Sequence, residues 1–431
     1  MLQDNHTINA AGHFCVGGVD AVTLAQTYGT PLYVMDEAVL RAKMRVCADA
    51  MTKYLPAGGM PLFASKALSC KEMYRIAGSE GLGADVVSGG ELYTALSAGF
   101  PAEKLCFHGS AKTMDELRYA VSAGVGLIAV DNDEELQNLS RAAGEAGRTQ
   151  RVLLRVTPGI DPHTFAAVNT GMVDSKFGVA IETGQAMEFT RAALETPHIA
   201  LAGFHCHIGS QIAESKPFTD AADIMTAFMD EVRTECGYTA GILNLGGGLA
   251  VPYVAGDPDP DYDALIREVA EHLTARCAAL HYPAPYVLME PGRGIVGAAG
   301  VTLYTVQSVK TITGYKSYIA IDGGMTDDPR YALYGSQYTV LIADRAGAPK
   351  DFTADVAGRC CESGDLIGEN MPIQTPRAGD TLAVLVTGAY NYSMASNYNR
   401  VPRPPIVMLR GGESRVVVRR ETYEDLVACD L

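Results

Sequence analysis

The run GMPLFASK (residues 59–66) begins the pattern that decides the fold of this 431-residue sequence. Its apolar residues predict a short buried strand, which ends on Lys66. A charged amine at the end of a buried strand is costly unless it has a partner or a chemical task. The neighbouring sequence gives a context for both the strand and the lysine.

Strand-like runs alternate with helix-like segments from this point to about residue 295. Several of the helix-like segments begin after Ser, Thr or Asp and end on Gly, which is typical of helix caps. The strand-like runs are MPLFAS (60–65), LGADVV (82–87), KLCFH (104–108), VGLIAV (125–130), RVLLRV (151–156), IALAGFHCH (199–207), GILNLGG (241–247) and PYVLMEP (285–291). Eight βα units predict an α/β fold with a (β/α)8 TIM-like barrel, although a doubly wound sheet shows the same alternation.

The sequence changes character after about residue 300. Short runs rich in β-branched residues, separated by Gly, Pro and Asp, predict a mainly β C-terminal domain. These runs are VTLYTVQSVKT (301–311), KSYIAID (316–322), QYTVLIA (337–343), DFTADVAG (351–358), DTLAVLV (380–386), PPIVMLR (404–410) and ESRVVVRR (413–420). We predict an N-terminal segment at 1–40, a barrel at 41–295 and a β domain at 296–431. The N-terminal run PLYVMD (31–36) can join either domain, and we expect its segment to pack partly with the β domain.

Composition excludes several classes of partner. The net charge of −16 argues against nucleic acid or an anionic membrane surface. The first residues lack the basic and apolar regions of a signal peptide, and no apolar run reaches the roughly 20 residues that span a bilayer. The ten cysteines include no C-x-x-C pair. We therefore expect reduced thiols and a cytoplasmic protein rather than a zinc ribbon or a disulfide framework.

Candidate chemical groups recur at the carboxyl ends of the predicted barrel strands, the face at which barrel enzymes keep their active sites. In strand order these groups are Lys66, Asp85, Arg155, His207, Gly246–Gly248 and Glu290-Pro291-Gly292-Arg293. Consecutive glycines let backbone N–H groups approach an anion, and Arg293 can add a bidentate contact. A lysine, a phosphate site and a carboxylate at one barrel mouth suggest pyridoxal phosphate, with Lys66 as the Schiff-base partner.

Each feature also has a purely structural interpretation. Lys66 could extend to solvent, the three glycines could form a plain turn, and Glu290 could form an ion pair with Arg293. His205 and His207 lie on the same side of a strand, so one can be a core histidine or both can ligate a metal. A third convergent Cys or His is missing from the pattern, so we predict no metal site. All these groups are predicted at the same end of the barrel, and this shared placement favours the functional interpretation.

A set of motifs resembles the alanine-racemase-like (fold type III) pyridoxal phosphate decarboxylases, and among them most closely the diaminopimelate decarboxylases. The motifs are FASKA (63–67), SGGEL (88–92), SKFG (175–178), HCHIGSQ (205–211), LGGGL (245–249), EPGR (290–293), DGGMTDDPRYALYG (322–335), CESGD (361–365) and GAYNYSMAS (388–396). The resemblance covers nearly the whole chain. It implies the barrel-plus-β-domain fold and decarboxylation of meso-2,6-diaminopimelate to L-lysine and CO2, the last step of lysine biosynthesis.

The resemblance also implies a role for individual residues. Those assigned to the cofactor are Lys66, Asp85, Arg155, His207, Ser210, Gly246, Gly247, Gly248, Glu290, Pro291, Gly292, Arg293 and Tyr390. Lys66 would carry the cofactor, His207 would stack on its pyridine ring and Glu290 would pair with the ring nitrogen. Ser210, the glycine loop, Arg293 and Tyr390 would hold its phosphate. Asp85 would lie near the lysine, and Arg155 would be a buried neighbour.

The same resemblance implies a homodimer with shared active sites, in which the CESGD segment enters from the partner subunit. Cys361 would then donate a proton after CO2 leaves, completing a catalytic set with Lys66, His207 and Glu290. Cys360, directly before it, can share this reactivity. The residues implied for the substrate are Arg293, Arg330, Tyr334, Glu362 and Tyr390. In the FHGSAK run (107–112), Ser110-Ala111 replaces two asparagines that are common in the family.

The chemistry of these groups separates several functions. A carboxylate beside the ring nitrogen favours decarboxylation over racemisation, because it keeps the ring a strong electron sink. Arg330 can clamp a second substrate carboxylate while Glu362 takes the ammonium group. The alternatives are a decarboxylase of ornithine, lysine or arginine, or a catalytically silent regulatory binding protein. A protein that only binds has no physical need for Lys66, Glu290 and Cys361 together.

Overall fold

The computed structural model describes residues 2–160 and 175–431, and the chain divides into two compact units. The first unit comprises Met1–Ala42, Val251–Pro258 and Ile295–Leu431, and the second comprises Lys43–Ala250 and Asp259–Gly294. The sequence pattern places 251–258 within the barrel range 41–295. Val251 and Tyr253 instead pack into the core of the first unit. The Pro- and Asp-rich segment has neither a helical nor a strand period, so its sequence does not reveal this packing.

The N-terminal part of the first unit begins with a small antiparallel sheet of β1 (His6–Ile8), β2 (Phe14–Val16) and β3 (Val19–Asp20). Helix α1 (Ala21–Tyr28) follows, and the Asp20 carboxylate caps it by accepting hydrogen bonds from two backbone amides of its first turn. Strand β4 (Leu32–Asp36) is buried along its length and pairs with strands from the C-terminal part of the same unit. The PLYVMD run therefore belongs to the β domain.

The second unit is a closed barrel of eight parallel strands, and one short strand extends the sheet beside it. The strands are β5 (Gly59–Ala64), β6 (Gly83–Val86), β7 (Leu105–Phe107), β8 (Leu127–Val130), β9 (Gln150–Thr157), the short β10 (Val179–Ala180), β11 (Ile199–His205), β12 (Ile242–Asn244) and β13 (Tyr286–Met289). Pairing of β13 with β5 and of β8 with β9 closes the ring. The predicted barrel is confirmed, and the doubly wound alternative is wrong.

Helices alternate with the barrel strands. They are α2 (Glu37–Tyr54), α3 (Lys71–Ser79), α4 (Gly89–Ser97), α5 (Met114–Ala123), α6 (Asp133–Glu145), α7 (Gln185–Glu195), α8 (Lys216–Cys236) and α9 (Tyr262–Ala279). Short polar side chains fix where several of them begin. Ser88 and Asn132 cap α4 and α6, and Thr113 forms a capping box with Glu116 at the start of α5.

Apolar side chains fill the interior of the barrel. Leu62, Cys106, Leu153 and Leu288, which come from four different strands, form a buried cluster there. A packed interior of this kind leaves the strand ends as the place for chemistry. No helix among the described residues is both long and apolar enough to cross a membrane.

The C-terminal part of the first unit is mainly β structure. It contains α10 (Arg293–Val296, shared with the end of the barrel), β14 (Gly300–Thr311), β15 (Ser317–Ile321), α11 (Arg330–Tyr334), β16 (Val340–Ile342), β17 (Phe352–Ala357), β18 (Leu366–Ile373), β19 (Thr381–Leu385), β20 (Ile406–Arg410), β21 (Glu413–Val418) and α12 (Tyr423–Val427). Its main sheet has the order β18-β17-β15-β14-β4-β20-β21, and β19 pairs with both β14 and β16. The seven predicted runs all form strands, which confirms the mainly β domain.

Candidate active site

A cavity of about 440 Å³ lies at the carboxyl ends of the barrel strands, a volume suited to a small ligand. The residues that line it include five predicted from the sequence, namely Lys66, Asp85, Arg155, His207 and Glu290. The rest of the lining is Val87, His108, Gly109, Ser110, Ala111, Lys112, Glu116, Phe177 and His205. Lys66 and Glu290 therefore face the same space, as the prediction of a shared small molecule requires.

Lys66 lies in a short 3-10 turn, Ser65–Ala67, directly after β5. The hydroxyl of Ser65 donates to Glu91 Oε2 at 2.9 Å, and the Val87 amide donates to the same oxygen at 2.8 Å. Glu91 thus ties the loop that carries Lys66 to the loop after β6. Sequence reasoning did not single out Glu91, although the SGGEL motif contains it.

Asp85 is fully buried near the end of β6, as expected of a carboxylate close to the lysine. Burial raises the pKa of Asp85 to about 6, against the opposing influence of His108 and Lys66. Its Oδ1 has no hydrogen-bond partner among the described residues and lies 3.8 Å from His108 Nε2. Nearby positive charge, rather than hydrogen bonding, therefore compensates this oxygen.

Glu290 follows β13, is buried and lines the cavity. Its Oε1 accepts hydrogen bonds from Asn244 Nδ2 at 2.7 Å and from His108 Nε2 at 2.9 Å. Burial favours the protonated form, but His108 and His205 hold the pKa of Glu290 well below its ordinary value. A buried carboxylate that stays ionised can pair with a protonated pyridine nitrogen. The sequence analysis missed both His108 and Asn244, which lie at or next to the ends of β7 and β12.

The two histidines of the HCH motif have different surroundings. His205 Nε2 lies 3.3 Å from Glu290 Oε1, and burial lowers the pKa of His205 to about 4. The Gly247 amide donates to His207 Nδ1 at 3.2 Å, and burial together with Lys66 lowers the pKa of His207 well below its usual value. His207 is therefore a neutral ring, suited to stacking. His205, His108 and Glu290 each offer one atom that could bind a metal ion, and these three atoms lie within 4.8 Å of one another. His207 does not belong to this group.

The Gly246–Gly248 loop needs glycine at each position. Gly246 and Gly248 have φ values of +70° and +118°, which disfavour other residues. A Cβ atom on Gly247 would lie 2.1 Å from the Glu290 carbonyl oxygen, and one on Gly248 would lie 2.5 Å from the Gly209 oxygen. The loop therefore packs closely against its neighbours with no side chains of its own, as a backbone cradle for an anion requires.

Arg293 and Ser210 form a second part of the predicted phosphate site. The Arg293 guanidinium is buried and donates from Nε and Nη2 to Ser210 Oγ, at 3.3 and 3.1 Å. Neither residue lines the cavity, but His207 lines it and contacts the glycine loop. The intervening Pro291-Gly292 packs against the end of β5, where the Ala64 amide donates to the Pro291 oxygen at 3.2 Å. The EPGR segment is thereby joined to the strand that precedes Lys66.

Arg155 forms one wall of the cavity. Its guanidinium lies over the Phe177 ring, 4.3 Å from the ring centre, and its Nε is 4.0 Å from Asp131 Oδ1. Burial lowers the pKa of Arg155 despite this neighbouring carboxylate. Arg155 is thus the buried neighbour of the site that the sequence predicts, and Asp131 is a partner that the sequence did not reveal.

The first unit holds the other predicted site residues. Arg330 begins α11 and is buried, with its guanidinium carbon 5.8, 5.9 and 5.6 Å from the ring centres of Tyr253, Tyr334 and Tyr390. Its Nη2 donates to Ser336 Oγ at 3.2 Å, and its Nε has no hydrogen-bond partner among the described residues. Three tyrosines thus lie around a buried cation whose Nε donor can bind a ligand. Tyr253 was missed because it lies in the segment that the sequence pattern assigns to the barrel.

The CESGD segment is also in the first unit, and its first two residues are exposed. The Cys361 amide donates to Asn399 Oδ1 at 2.8 Å, which holds the backbone of this exposed thiol. The preceding Cys360 is buried, and burial raises the pKa of its thiol to about 11. Exposure therefore favours Cys361, rather than Cys360, as the thiol that can reach another molecule.

Comparison with known proteins identifies the family. Residues 40–297, more than half of the chain, match the family described as pyridoxal-dependent decarboxylase, pyridoxal binding domain. The chain belongs to the pyridoxal-dependent decarboxylases. Its cofactor is pyridoxal phosphate, and its fold is that of the fold type III enzymes.

Individual relatives of this pyridoxal-dependent decarboxylase are named more narrowly. It is 44% identical to diaminopimelate decarboxylase of Bacillus subtilis (strain 168), over 100% of this chain and 98% of that protein. The solved structure of diaminopimelate decarboxylase from M. jannaschii in complex with L-lysine has a TM-score of 0.91 at 33% identity, covering 100% and 99% of the two chains. Lysine/ornithine decarboxylase from Vibrio vulnificus, in complex with putrescine, has a TM-score of 0.76 at 23% identity over 91% and 99%, which shows a shared fold.

The residues of this decarboxylase fit the cofactor. The neutral His207 ring, the ionised Glu290 and the tightly packed glycine loop are the partners needed by an aromatic ring, a pyridine nitrogen and a phosphate, respectively. When bound, pyridoxal phosphate supplies an electron sink for the carbanion that forms at Cα as CO2 leaves. The side chains of the barrel have to orient the cofactor and hold its ring nitrogen protonated.

Proposed function

We propose that this decarboxylase converts meso-2,6-diaminopimelate to L-lysine and CO2, the last step of lysine biosynthesis. The observation that carries the proposal is Arg330, a buried cation among three tyrosines whose Nε has no hydrogen-bond partner in the described part of the chain. Such a group suits the second carboxylate of diaminopimelate. The names of its full-length relatives support the same substrate.

Ornithine, lysine and arginine lack this second carboxylate. Each would leave the buried Nε donor of Arg330 without an acceptor, at a cost of about 1–3 kcal/mol. Glu362 then takes the ammonium group at the distal end of diaminopimelate, and Tyr334, Tyr390 and Arg293 complete the proposed substrate contacts. The decarboxylases of other basic amino acids are therefore the weaker alternative.

Within the barrel, Lys66 bonds covalently to the cofactor and His207 packs against its ring. Glu290 accepts a hydrogen bond from the ring nitrogen and, because it is ionised, favours the protonated ring. Ser210, Arg293, Tyr390 and the glycine loop bind the phosphate. A protonated ring is the stronger electron sink, so this arrangement favours loss of CO2 over racemisation.

Turnover of a panel of amino acids tests the proposed substrate. The purified protein is incubated with meso-diaminopimelate, L-ornithine, L-lysine and L-arginine, and CO2 release is measured for each. We expect CO2 and L-lysine from diaminopimelate, at a kcat/KM at least about 10-fold above the others. A preference for ornithine or arginine would remove the substrate assignment. Cofactor binding without CO2 release from any of the four would favour the silent regulatory protein instead.

Cys361 is the proposed proton donor to Cα, and its replacement by alanine is expected to lower kcat. General acid catalysis contributes about 10²- to 10⁴-fold, so we expect a loss in that range with the cofactor still bound. Stopped-flow and steady-state measurement of CO2 release, with visible absorbance for cofactor content, provide the two readouts. Cys429→Ala, at the other exposed cysteine of the described residues, is the matched control and should keep the parent's kcat. Equal activity of the Cys361 variant and this control would contradict the assignment.

We also propose a homodimer in which the CESGD segment of one subunit completes the site of the other. Exposure of Cys361 and Glu362 on the chain supports this arrangement, since a catalytic thiol in solvent needs a site to enter. We place the enzyme in the cytoplasm, because its ten thiols are all unpaired.

Mixed dimers test the shared site. A Lys66→Ala subunit and a Cys361→Ala subunit are each inactive or nearly so, but a mixed dimer contains one site with both native residues. We expect each mixed dimer to have up to half of the parent dimer's activity, so a 1:1 mixture in which about half of the dimers are mixed should recover up to about a quarter. Size-exclusion chromatography of differently tagged subunits verifies the exchange. No recovery despite verified exchange would contradict the shared site.

A further inference from the structure

We propose that His108 is a positioning residue that fixes the carboxylate of Glu290 for the cofactor's ring nitrogen. The inference rests on the proposed pairing of Glu290 with that nitrogen, and it is independent of the amino-acid substrate. His108 follows β7 in the FHGSAK run, is buried and lines the cavity. The resemblance assigns no role to it.

The hydrogen bonds at Glu290 are unevenly divided between its two oxygens. Oε1 accepts from both His108 Nε2 and Asn244 Nδ2, at 2.9 and 2.7 Å. Oε2 has a longer hydrogen bond, 3.4 Å from His205 Nε2, and the same nitrogen lies 3.3 Å from Oε1. Two strong donors therefore orient the carboxylate through one oxygen and leave the other to accept a hydrogen bond from a ligand.

The position of the His108 ring is itself well determined. Its backbone amide donates to the Val86 oxygen at 2.8 Å, which attaches the residue to the end of β6. Its Nε2 is 3.1 Å from Cys106 Sγ, and its ring meets the His205 ring edge-on at 4.6 Å between centres. A ring held on three sides provides a rigid donor for Glu290.

His108 also supplies charge that Asn244 cannot. Burial lowers its pKa, but Cys106, Glu290 and Asp85 together raise the pKa of His108 well above its ordinary value. Its imidazolium therefore lies between two buried carboxylates, 2.9 Å from Glu290 and 3.8 Å from Asp85. This charge offsets the burial of Glu290, which alone would favour the protonated acid. An ionised Glu290 leaves the proton on the ring nitrogen.

Replacing His108 with leucine removes both the donor and the charge, so the proton should move from the ring nitrogen towards Glu290. We would load the protein with pyridoxal phosphate carrying ¹⁵N in its ring and record the nitrogen signal without substrate. We expect the signal of His108→Leu to move towards that of an unprotonated pyridine. We also expect kcat to fall about 10- to 100-fold, the loss expected of one charge-assisted hydrogen bond.

A conservative variant and a matched control separate this role from a general effect on structure. His108→Gln keeps an N–H donor without the charge and should lie between leucine and the parent in both readouts. His272→Gln changes another barrel histidine, which lies 2.9 Å from the Asp223 carboxylate and outside the cavity lining, and should match the parent. Circular dichroism and thermal unfolding show which variants are folded.

The proposal is overturned if folded His108→Leu or His108→Gln keeps the parent's nitrogen signal, whatever its kcat. If the leucine variant does not fold, the glutamine variant decides, and a parent-like nitrogen signal in that variant overturns the proposal. Because the nitrogen signal is recorded without substrate, a failure of diaminopimelate as the substrate leaves this test intact. The two hypotheses can therefore fail separately.

Discussion

Replacing Lys66 with alanine is expected to abolish turnover, with a fall in kcat of more than about 10⁴-fold. The side chain lies directly after β5 and lines the cavity that Glu290 also lines, so it is placed to bond covalently to the cofactor. Alanine provides no amine for that bond. CO2 release measures the loss of activity, and visible absorbance near 420 nm measures the loss of the covalently bound form.

Lys71→Ala is the matched control for this experiment. Lys71 is exposed at the start of α3, five positions after Lys66, and it is not in the cavity lining. We expect this variant to keep the absorbance and the kcat of the parent. Full turnover by Lys66→Ala would show that the central assignment of this amine is wrong.

Replacing Arg330 with alanine is expected to lower kcat/KM for diaminopimelate by about 10²- to 10³-fold. The reason is loss of the charged, planar partner of the distal carboxylate, which removes a buried ion pair from the bound state. The cofactor should remain bound, because Lys66 and Glu290 belong to the barrel unit and are unchanged. Initial-rate measurements at several substrate concentrations give the change in KM and kcat separately.

Two further measurements make the Arg330 test specific. The preference for diaminopimelate over ornithine and lysine should shrink, because ornithine and lysine have no second carboxylate for Arg330 to bind. Arg330→Lys keeps the charge but not the planar fork and should give an intermediate loss. Arg377→Ala, at an exposed arginine of the same unit, should behave as the parent. An unchanged kcat/KM in Arg330→Ala would show that Arg330 does not bind the distal carboxylate.

The barrel and most of the β domain follow from local sequence patterns. Each barrel strand is a short apolar run between capped helices, so its period and boundaries are visible in the sequence. Strand β18 was missed because Gly368, Glu369 and Asn370 interrupt its apolar pattern. Asn370 has a φ of +51°, and the pairing with β17 shifts register on either side of Val356. A bulged strand of this kind does not show the simple alternation that predicts β structure.

Site residues could be predicted where they lie in recognisable motifs at strand ends. Residues that contribute by contacting another site residue were harder to predict. Lys66, His207 and Glu290 stand at strand ends in recognisable motifs, and they do line one cavity. His108 and Asn244 contact Glu290 from strands that are far apart in sequence. Such contacts depend on how the barrel closes, and hydrophobic periodicity contains no information on them.

A second lysine in the cavity lining allows a direct test of whether Lys66 is the lysine that bonds to the cofactor. Of the described residues that line the cavity, Lys66 and Lys112 are the two lysines. Lys112 Nζ donates to Glu135 Oε1 at 2.6 Å and to the backbone oxygens of Gly109 and Ala129 at 2.8 Å each. All three donors of this ammonium group are therefore used in holding the structure, so Lys112 is a poor candidate for the covalent bond.

Borohydride reduction of the cofactor-loaded enzyme decides between these two amines, because it converts the imine between a lysine and pyridoxal phosphate into a stable secondary amine. The protein is then digested, and the modified peptide is identified by mass spectrometry. We predict the phosphopyridoxyl group on the peptide that contains Lys66, with none on the peptide that contains Lys112. A label on Lys112, or an active enzyme with Lys66 unlabelled after complete reduction, would contradict the account.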